Sequence, residues 1–530
     1  MKRILLSASL IATMALTSVA EIIPGVSIGE FYYDLDTESK TATVTREIGR
    51  KYITYEIQTL NLPTTVSYEG TEYVVKLGEG CFSNSPNLTT VNIPSGTISI
   101  PEYCFSNCKK LTMVNFPSSL DSISRGAFGN CSSLKNVSLP QGLVYLDGFN
   151  GTSISEITLP SSLRQISLAA PMFHNEPYGD GAFAGTPLKR VVIPQGVKIL
   201  GDFTFSKCSN LTEIILPEGL KHIGHMCFES CPISSINLPS TVETMQRAVF
   251  NRCSNLTGIV LPASLRELGW KAFDSCPLTS FEYPESLSVL RTRLFYNCKL
   301  AEFSVKPSVK EINPGCFYAL KELKKFVIED GAEPLVMNYT SKKYRQPDGC
   351  QESDMEGRWF DGSTKNLEEL YIGRDITVDG WTPEPDSVSR AGDVASEDGN
   401  PFKDFKALKR LTIGENVTDA SLIKISECEN LQTIEIKGAV SPAIGQLTEA
   451  QKATVTLVVP EGQVEAYKSS AEWGGVSNIV ASSPESSIED ITVDADSEVE
   501  YFNLQGVRVV NPAPGIYIRR QGHKVEKVML

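Results

Sequence analysis

The ten residues CSNLTEIILP that begin at Cys208 return as CSNLTGIVLP at Cys253, and a shorter version, CPISSINLP, begins between them at Cys231. The spacing of 45 is therefore two units of 22 to 23 residues. Further copies are NCKKLTMVNFP from Asn107, NCSSLKNVSLP from Asn130, GTPLKRVVIP from Gly185 and SCPLTSFEYP from Ser275. The unit reads Phe-x-x-Cys-x-x-Leu-x-x-(Val/Ile)-x-(Leu/Ile)-Pro-x-x-(Leu/Val)-x-x-(Ile/Leu). Its Phe slot holds Phe82, Phe105, Phe128, Phe183, Phe205, Phe228, Phe250, Phe273, Phe295 and Phe317. Units such as FESCPI drop one residue between Phe and Leu, a tolerance that marks a loop.

A repeat this short restricts the fold severely. The last apolar positions of Leu-x-x-Val-x-Leu alternate, as a strand with one buried face requires. Proline ends that strand because it has no N–H for the next ladder bond. Phe and the final Ile or Leu fill the return path of each coil. One unit cannot bury its apolar face, whereas stacked units bury it against each other. The expected fold is a β-rich leucine-rich repeat solenoid with a parallel sheet on one face. A dozen or more coils would make a rod of about 60–70 Å.

The register also decides what the 13 cysteines do. Cys108, Cys131, Cys208, Cys231, Cys253, Cys276 and Cys298 all sit three residues after Phe, and Cys81, Cys104, Cys227 and Cys316 sit just before it. Side chains fixed in register stack with parallel Cβ vectors, which disfavours a bridge between rungs. The expectation is ladders of buried free thiols, with Cys350 and Cys428 outside them. One cluster, HIGHMCFESC, offers His222, His225, Cys227 and Cys231, a set that could bind zinc. The repeat already accounts for both cysteines, and the histidines fall in slots expected to face solvent. No metal or other cofactor is assigned.

Composition adds boundaries. A formal net charge of -14 without a Lys/Arg cluster argues against nucleic acid and against an anionic membrane surface as partners. Residues 1–20, MKRILLSASLIATMALTSVA, combine a basic start, an apolar run too short to span a bilayer and a small-x-small ending. They read as a secretory signal peptide, with no membrane span following. No Cys follows the apolar run, so lipid attachment there is not expected.

At this point the repeats resemble those of the BspA-like, or treponemal-type, bacterial leucine-rich repeat surface proteins. The likeness is strong from Leu77 to about Ile328 and continues in degenerate form toward Ile479. It implies an exported, curved solenoid of the kind that commonly acts in adhesion or host interaction. The organisation expected is an N-terminal β cap (21–76), the solenoid (77–330), then degenerate repeats with insertions and a C-terminal cap (331–480) in which Tyr467 and Trp473 form the core. A Ser/acidic linker (481–499) and a small β module (500–530) follow. That module resembles C-terminal units of exported Bacteroidetes proteins, some of which act in secretion sorting. Interruptions are expected at Ala169–Asp180, Ala332–Gly362 and Asp375–Pro401.

Outward strand positions form the natural recognition surface, and the candidates are Asn92, Asn115, Asn136, Glu156, Arg190, Glu213, Asn237 and Glu282. The row is small and weakly charged, with no aromatic platform, so no ligand class stands out. Catalytic signals are thin. GVSIG around Ser27 matches a nucleophile elbow but lies just past the expected signal cut and is followed by the strand-like EFYYDL, not a helix, and the chain holds four His. DLDTE (Asp34–Glu38) and DADSE (Asp494–Glu498) space oxygens like calcium loops yet lack the Gly and distal Glu of an EF-hand. The reading is a secreted or cell-surface, non-enzymatic protein that binds host or microbial surface proteins or glycans. A structural surface spacer is the alternative, and a hydrolase with its site in the insertions near 169–180 or 332–401 is a third.

Overall fold

The computed structural model describes residues 22–45, 55–168, 181–339, 359–379, 401–402, 405–439 and 441–482, and in the C-terminal segment 499–502, 508–509, 516–521 and 524–529. The leader at 1–20, the segment 169–180, the bulk of the two later insertions, Cys350, the DADSE loop and most of the linker lie outside the described residues.

Each unit closes one coil. In its first strand the central residue points inward, as Val91, Val114, Val191, Ile214 and Ile259 do, each no more than 8% exposed. The Pro that follows opens a turn: its carbonyl accepts the N–H three residues on, as in Leu220 to Pro217 at 3.2 Å and Leu265 to Pro262 at 3.0 Å. The turn delivers a second, two-residue strand whose last side chain is again buried (Ile100, Ile123, Leu146, Ile166, Leu200, Ile223). Then comes the Phe turn. Its residue two after Phe takes a left-handed backbone, with φ near +60° at Asn84, Asn107 and Asn130, a conformation that asparagine tolerates better than most residues.

The solenoid carries two parallel ladders. The sheet expected on the first-strand side is present, but in pieces before residue 300: Thr59–Asn61 with Thr90–Asn92 and Met113–Asn115, then Arg190–Val192 with Glu213–Ile215, then Gly258–Val260 with Ser280–Glu282. The second-strand ladder is the continuous one there, with eight strands in order from Ser99–Ile100 to Glu267–Leu268. Beyond residue 300 the first-strand side becomes one sheet of seven: Glu302–Val305, Lys325–Ile328, Glu369–Ile372, Arg410–Ile413, Thr433–Ile436, Thr456–Val459 and Asn478–Ala481.

Between the ladders runs a column of stacked phenylalanines. Ring centroids from Phe82 through Phe105, Phe128, Phe149, Phe183, Phe205, Phe228 and Phe250 to Phe273 are 5.3 to 6.3 Å apart, with planes within 17°. The column continues through Phe295 and Phe317 to Phe360. Phe149 and Phe360 are members the sequence pattern did not include, and Thr152 and Ser363 stand in their Cys slots.

Both ends are covered. A five-stranded sheet (Ile22–Ile28, Phe31–Asp36, Thr41–Thr45, Thr65–Tyr68, Thr71–Lys76) places Phe31 and, from the following segment, Tyr55 over Phe82, at 5.9 and 5.1 Å. At the far end Tyr467 and Trp473 are buried with centroids 6.2 Å apart, and the Trp473 indole N–H donates to Ser441 at 2.9 Å. The tail forms a four-stranded antiparallel sheet from Val499–Phe502, Arg508–Val509, Ile516–Gln521 and Lys524–Met529.

The interruptions are placed more narrowly than expected. Leu335–Asn338 and Ile376–Asp379 both belong to the second ladder, and Trp359–Phe360 and Phe402 resume the Phe turn after them. All three insertions therefore leave a coil at the same point, after the second strand and before the Phe turn.

Candidate binding face

The eight sequence candidates all lie on the first-strand side, but they do not form one surface. Asn115 donates to Asn92 at 2.6 Å, and Asn92 donates to Asn61 at 2.7 Å, a side-chain ladder that uses its amides internally. Arg190 and Glu213 face each other across neighbouring strands at 2.9 Å, with both side chains about half exposed. Asn136, Glu156 and Asn237 are exposed, on segments that keep the alternating burial without ladder pairing. Exposed Met113, Val192, Ile215 and Val260 are scattered among them. Glu282 borders a recess of about 430 Å³ that also involves Val260, Tyr283, Phe303 and Lys325.

The larger recess, about 780 Å³, lies farther along, on the unbroken sheet. Four consecutive strands in register build it. Their first outward slot holds Lys325, Glu369, Arg410 and Thr433, and their third holds Val327, Tyr371, Thr412 and Glu435. The Tyr371 hydroxyl donates to the Asp330 carboxylate at 2.8 and 2.9 Å. Burial, then that carboxylate, holds the Tyr371 phenol well above its usual range. Arg410 bonds Glu435 at 3.3 Å, and Ser304 donates to Glu329 at 2.6 Å. Lys325 stands 3.9 Å from Glu369, and the Lys437 ammonium lies 5.2 Å from the Tyr371 ring centre.

The floor is thus one aromatic ring within a rim of alternating charge. Each of its four carboxylates is engaged by a neighbouring hydroxyl or cation, and no His or Cys lines it. Such a rim offers paired donors and acceptors to a polar surface. It offers no nucleophile with an adjacent base.

None of these recess residues was among the sequence candidates, although LKKFVIED, LEELYIGRD, LKRLTIGEN and LQTIEIKG carry a readable signal. The Pro that ends each first strand before residue 300 is missing from them. Its place is taken by residues whose N–H extends the ladder: Glu329 to Val305 at 2.9 Å, Gly373 to Ile328 at 2.7 Å, Gly414 to Ile372 at 2.7 Å and Lys437 to Ile413 at 2.9 Å. Longer strands make the continuous sheet, and the sheet spreads the charged slots into one surface.

The metal-like cluster is dispersed by the register. Cys227 and Cys231 are fully buried, and Cys231 donates to the Phe205 carbonyl at 3.1 Å. The expectation that both histidines face solvent is corrected. His225 is 4% exposed, in the slot three before Phe that also buries Arg247 and Trp270. His222 is half-buried against Thr244 at 2.5 Å, and burial lowers its pKa. Among the described residues no group of three His, Cys, Asp or Glu is gathered as a metal site. Ser27 lies on the strand Ile22–Ile28, paired antiparallel with Phe31–Asp36, not at a strand-to-helix turn. In DLDTE, Asp36 accepts the N–H groups of Glu38 and Ser39 at 2.9 and 3.0 Å, an ordinary turn. No described helix is long and apolar enough to cross a membrane.

Coils of 22 to 23 residues with parallel ladders and an aromatic column define a leucine-rich repeat solenoid. The BspA-type leucine-rich repeat region matches in six copies over residues 54–178, 176–301 and 258–335, more than half of the chain. The chain belongs to that family. Among solved structures it is similar to a leucine-rich repeat protein from Bacteroides ovatus, with 19% identity and a TM-score of 0.41, over 86% of this chain and all of that one. It is also similar to a leucine-rich cell surface protein from Faecalibacterium prausnitzii, with 20% identity and a TM-score of 0.35, over 87% and 95% of the two chains. The pneumococcal vaccine antigen PcpA is similar at 16% identity and a TM-score of 0.30, over 88% and 100%. No curated protein matches in sequence.

Proposed function

We propose that the chain is an exported, non-catalytic surface protein of a bacterium that binds proteins or glycans of host or microbial surfaces. The observation that carries this reading is the recess built by Lys325, Glu369, Tyr371, Arg410 and Glu435 on four adjacent strands. Its charges alternate in sign, so it favours a polar, hydrogen-bonding partner over a strongly anionic one such as nucleic acid. Supporting the reading are the leader-like residues 1–20 and membership of the family. The eight sequence candidates become a secondary face, with Glu282 the one that adjoins the recesses.

The test is a binding screen of the chain against extracellular-matrix proteins, mucins and a glycan array. Saturable binding should weaken about tenfold or more with Arg410→Glu, as truncation of a central contact does, and should survive Arg190→Ala. Binding that ignores the recess variants and follows Arg190 and Glu213 would move the site to the regular half. No binding at all would favour the spacer reading, which has support of its own in that half, where the Asn61–Asn92–Asn115 ladder and the Arg190–Glu213 pair satisfy themselves.

A further inference from the structure

The cysteine ladder three residues after Phe has a chemical reason that burial alone does not supply. Cys108, Cys131, Cys208, Cys231, Cys253, Cys276 and Cys298 each donate S–H to the Phe carbonyl of the preceding coil, over 2.9 to 3.3 Å. Ser363 fills the same slot and donates to Phe317 in the same way at 2.5 Å. In these eight coils the slot holds a small, buried hydrogen donor, and a thiol keeps that role only while it keeps its proton. These sulfurs are aimed at backbone oxygens.

The slot just before Phe differs. Its occupants include Ala127, Ala182, Thr204, Val249 and Ala272, so Cys227 and Cys316 have no cysteine on an adjacent coil in that slot. Cys81 and Cys104 alone fall on consecutive coils there. Their sulfurs are 3.5 Å apart, fully buried, and each has the other as its polar contact. The coils are locked in step at this point, with Phe82 N–H on the Cys104 carbonyl at 2.9 Å and Gly80 N–H on Glu102 at 3.0 Å. Neighbouring strand-like segments lie about 4.8 Å apart, inside the Cα separation of about 4.4–6.8 Å that a disulfide accepts. Closing the bond asks the sulfurs to approach to about 2.05 Å, and because in-register Cβ atoms about 4.8 Å apart exceed the roughly 3.5–4.5 Å that a disulfide spans, the two coils must also draw together by a few tenths of an ångström.

We propose that Cys81 and Cys104 are the disulfide-forming pair of this chain, stapling the first full coil to the second, while the carbonyl-bonded ladder stays reduced. The oxidant is a small-molecule disulfide of the glutathione class. One cysteine, as thiolate, attacks it, releases one reduced thiol and forms a mixed disulfide. The other, as thiolate, displaces the second thiol. One S–S bond breaks, one forms, and the two protons leave with the two reduced thiols. Because the pair is buried in the native fold, exchange takes place during folding, before the coils close. The nearest competitor is Cys253 with Cys276. Burial, then the neighbouring Cys276 thiol, raises the pKa of Cys253 well above its usual value, but each of these sulfurs keeps its own Phe carbonyl.

The experiment refolds the full chain in a reduced and oxidised glutathione buffer, then denatures, alkylates and digests it with trypsin and a Glu-specific protease. Trypsin alone leaves Cys81, Cys104 and Cys108 on one peptide, whereas cleavage after Glu79 and Glu102 separates Cys81 from the other two. The expected result is one linked peptide pair joining 80–102 to 103–109, with fragmentation assigning the bond to Cys104 and leaving Cys108 alkylated. Cys81→Ser should make Cys104 fully alkylatable. A reductant should lower the melting temperature of the oxidatively folded protein and leave that variant unmoved. Full alkylation of Cys81 and Cys104 after oxidative folding, or a predominant Cys253–Cys276 link, would overturn the proposal. If the variant fails to fold, the peptide map of the unaltered chain still decides.

Discussion

The regular coils up to residue 300 and the irregular coils beyond it solve the same packing problem with different first strands. In the regular part the first strands have three residues and are cut short by Pro94, Pro117, Pro194, Pro217, Pro262 and Pro284, leaving a ladder in fragments. In the irregular part, from Glu302 onward, they have four, and the residue after them mostly continues the hydrogen bonding. The lesson is that strict repetition and a broad charged surface pull apart here. The regular coils spend their outward amides and charges on each other, while the irregular ones spread charges of both signs across one sheet. Insertions accumulate in the same irregular part, but they leave from the far side of the coil.

The comparison breaks most visibly at the Phe column. Phe228→Ala empties a site wholly buried between Phe205 and Phe250, at 5.9 and 5.4 Å, and should cost about 3–5 kcal/mol in a urea titration. Because each coil leans on its neighbours, the loss should appear as early exchange of the amides around residues 205–273 with the region beyond 410 unaffected. Uniform destabilisation along the whole chain would mean the two parts fold as one cooperative unit.

A second test exploits how each part buries a carboxylate. Glu435, in the irregular part, is buried against Arg410. Asp147, in the regular part, is 2% exposed, and burial raises its pKa to about 7 against the stabilising hydrogen bonds from Ser167, Leu168 and Tyr145. The native state therefore holds this proton more tightly than the unfolded chain does. Its contribution is fully present below about pH 4, and it declines as pH rises to about 7, by a few kcal/mol at most. Asp147→Asn should flatten that decline and leave the variant more stable than the parent at pH 8, measured by denaturation at pH 5 and pH 8. A parent stability that rises across this window would show that Asp147 does not govern it.

The repeat, the Phe column, the thiol ladder and the Trp473 cap were legible in the sequence because each is a residue type repeated in register or a large apolar side chain at a chain end. Phe149 and Phe360 escaped although Thr152 and Ser363, in their Cys slots, are hydrogen donors like Ser85 and Thr186 after Phe82 and Phe183; Phe360 resumes the register only after a long insertion. The burial of His225 escaped because its slot holds different residues in different coils and so shows no periodicity. The recess escaped for a similar reason. Lys325, Glu369, Tyr371, Arg410 and Glu435 are dissimilar side chains, and two of the gaps between their strands are lengthened by insertions. What was readable was the missing Pro, and an absence is harder to notice than a motif.

That absence can be tested at Gly373, which follows the strand carrying Tyr371. A Cβ there would lie 2.4 Å from the Asp330 backbone nitrogen and 2.6 Å from the Glu329 carbonyl carbon, both main-chain atoms that cannot swing aside. Gly373→Ala should therefore push the two strand ends apart at about 1–3 kcal/mol, less than the loss at Phe228. Because Asp330 accepts the Tyr371 hydroxyl, the same shift should disturb the recess, bringing the Tyr371 phenol back toward its usual range in an ultraviolet titration. Gly142, between two regular coils, meets nothing closer than 3.5 Å, so Gly142→Ala should leave both stability and the tyrosine titration nearly unchanged. If Gly373→Ala were equally silent, close approach of the strand ends would not be what shapes the recess, and the longer strands alone would have to account for it.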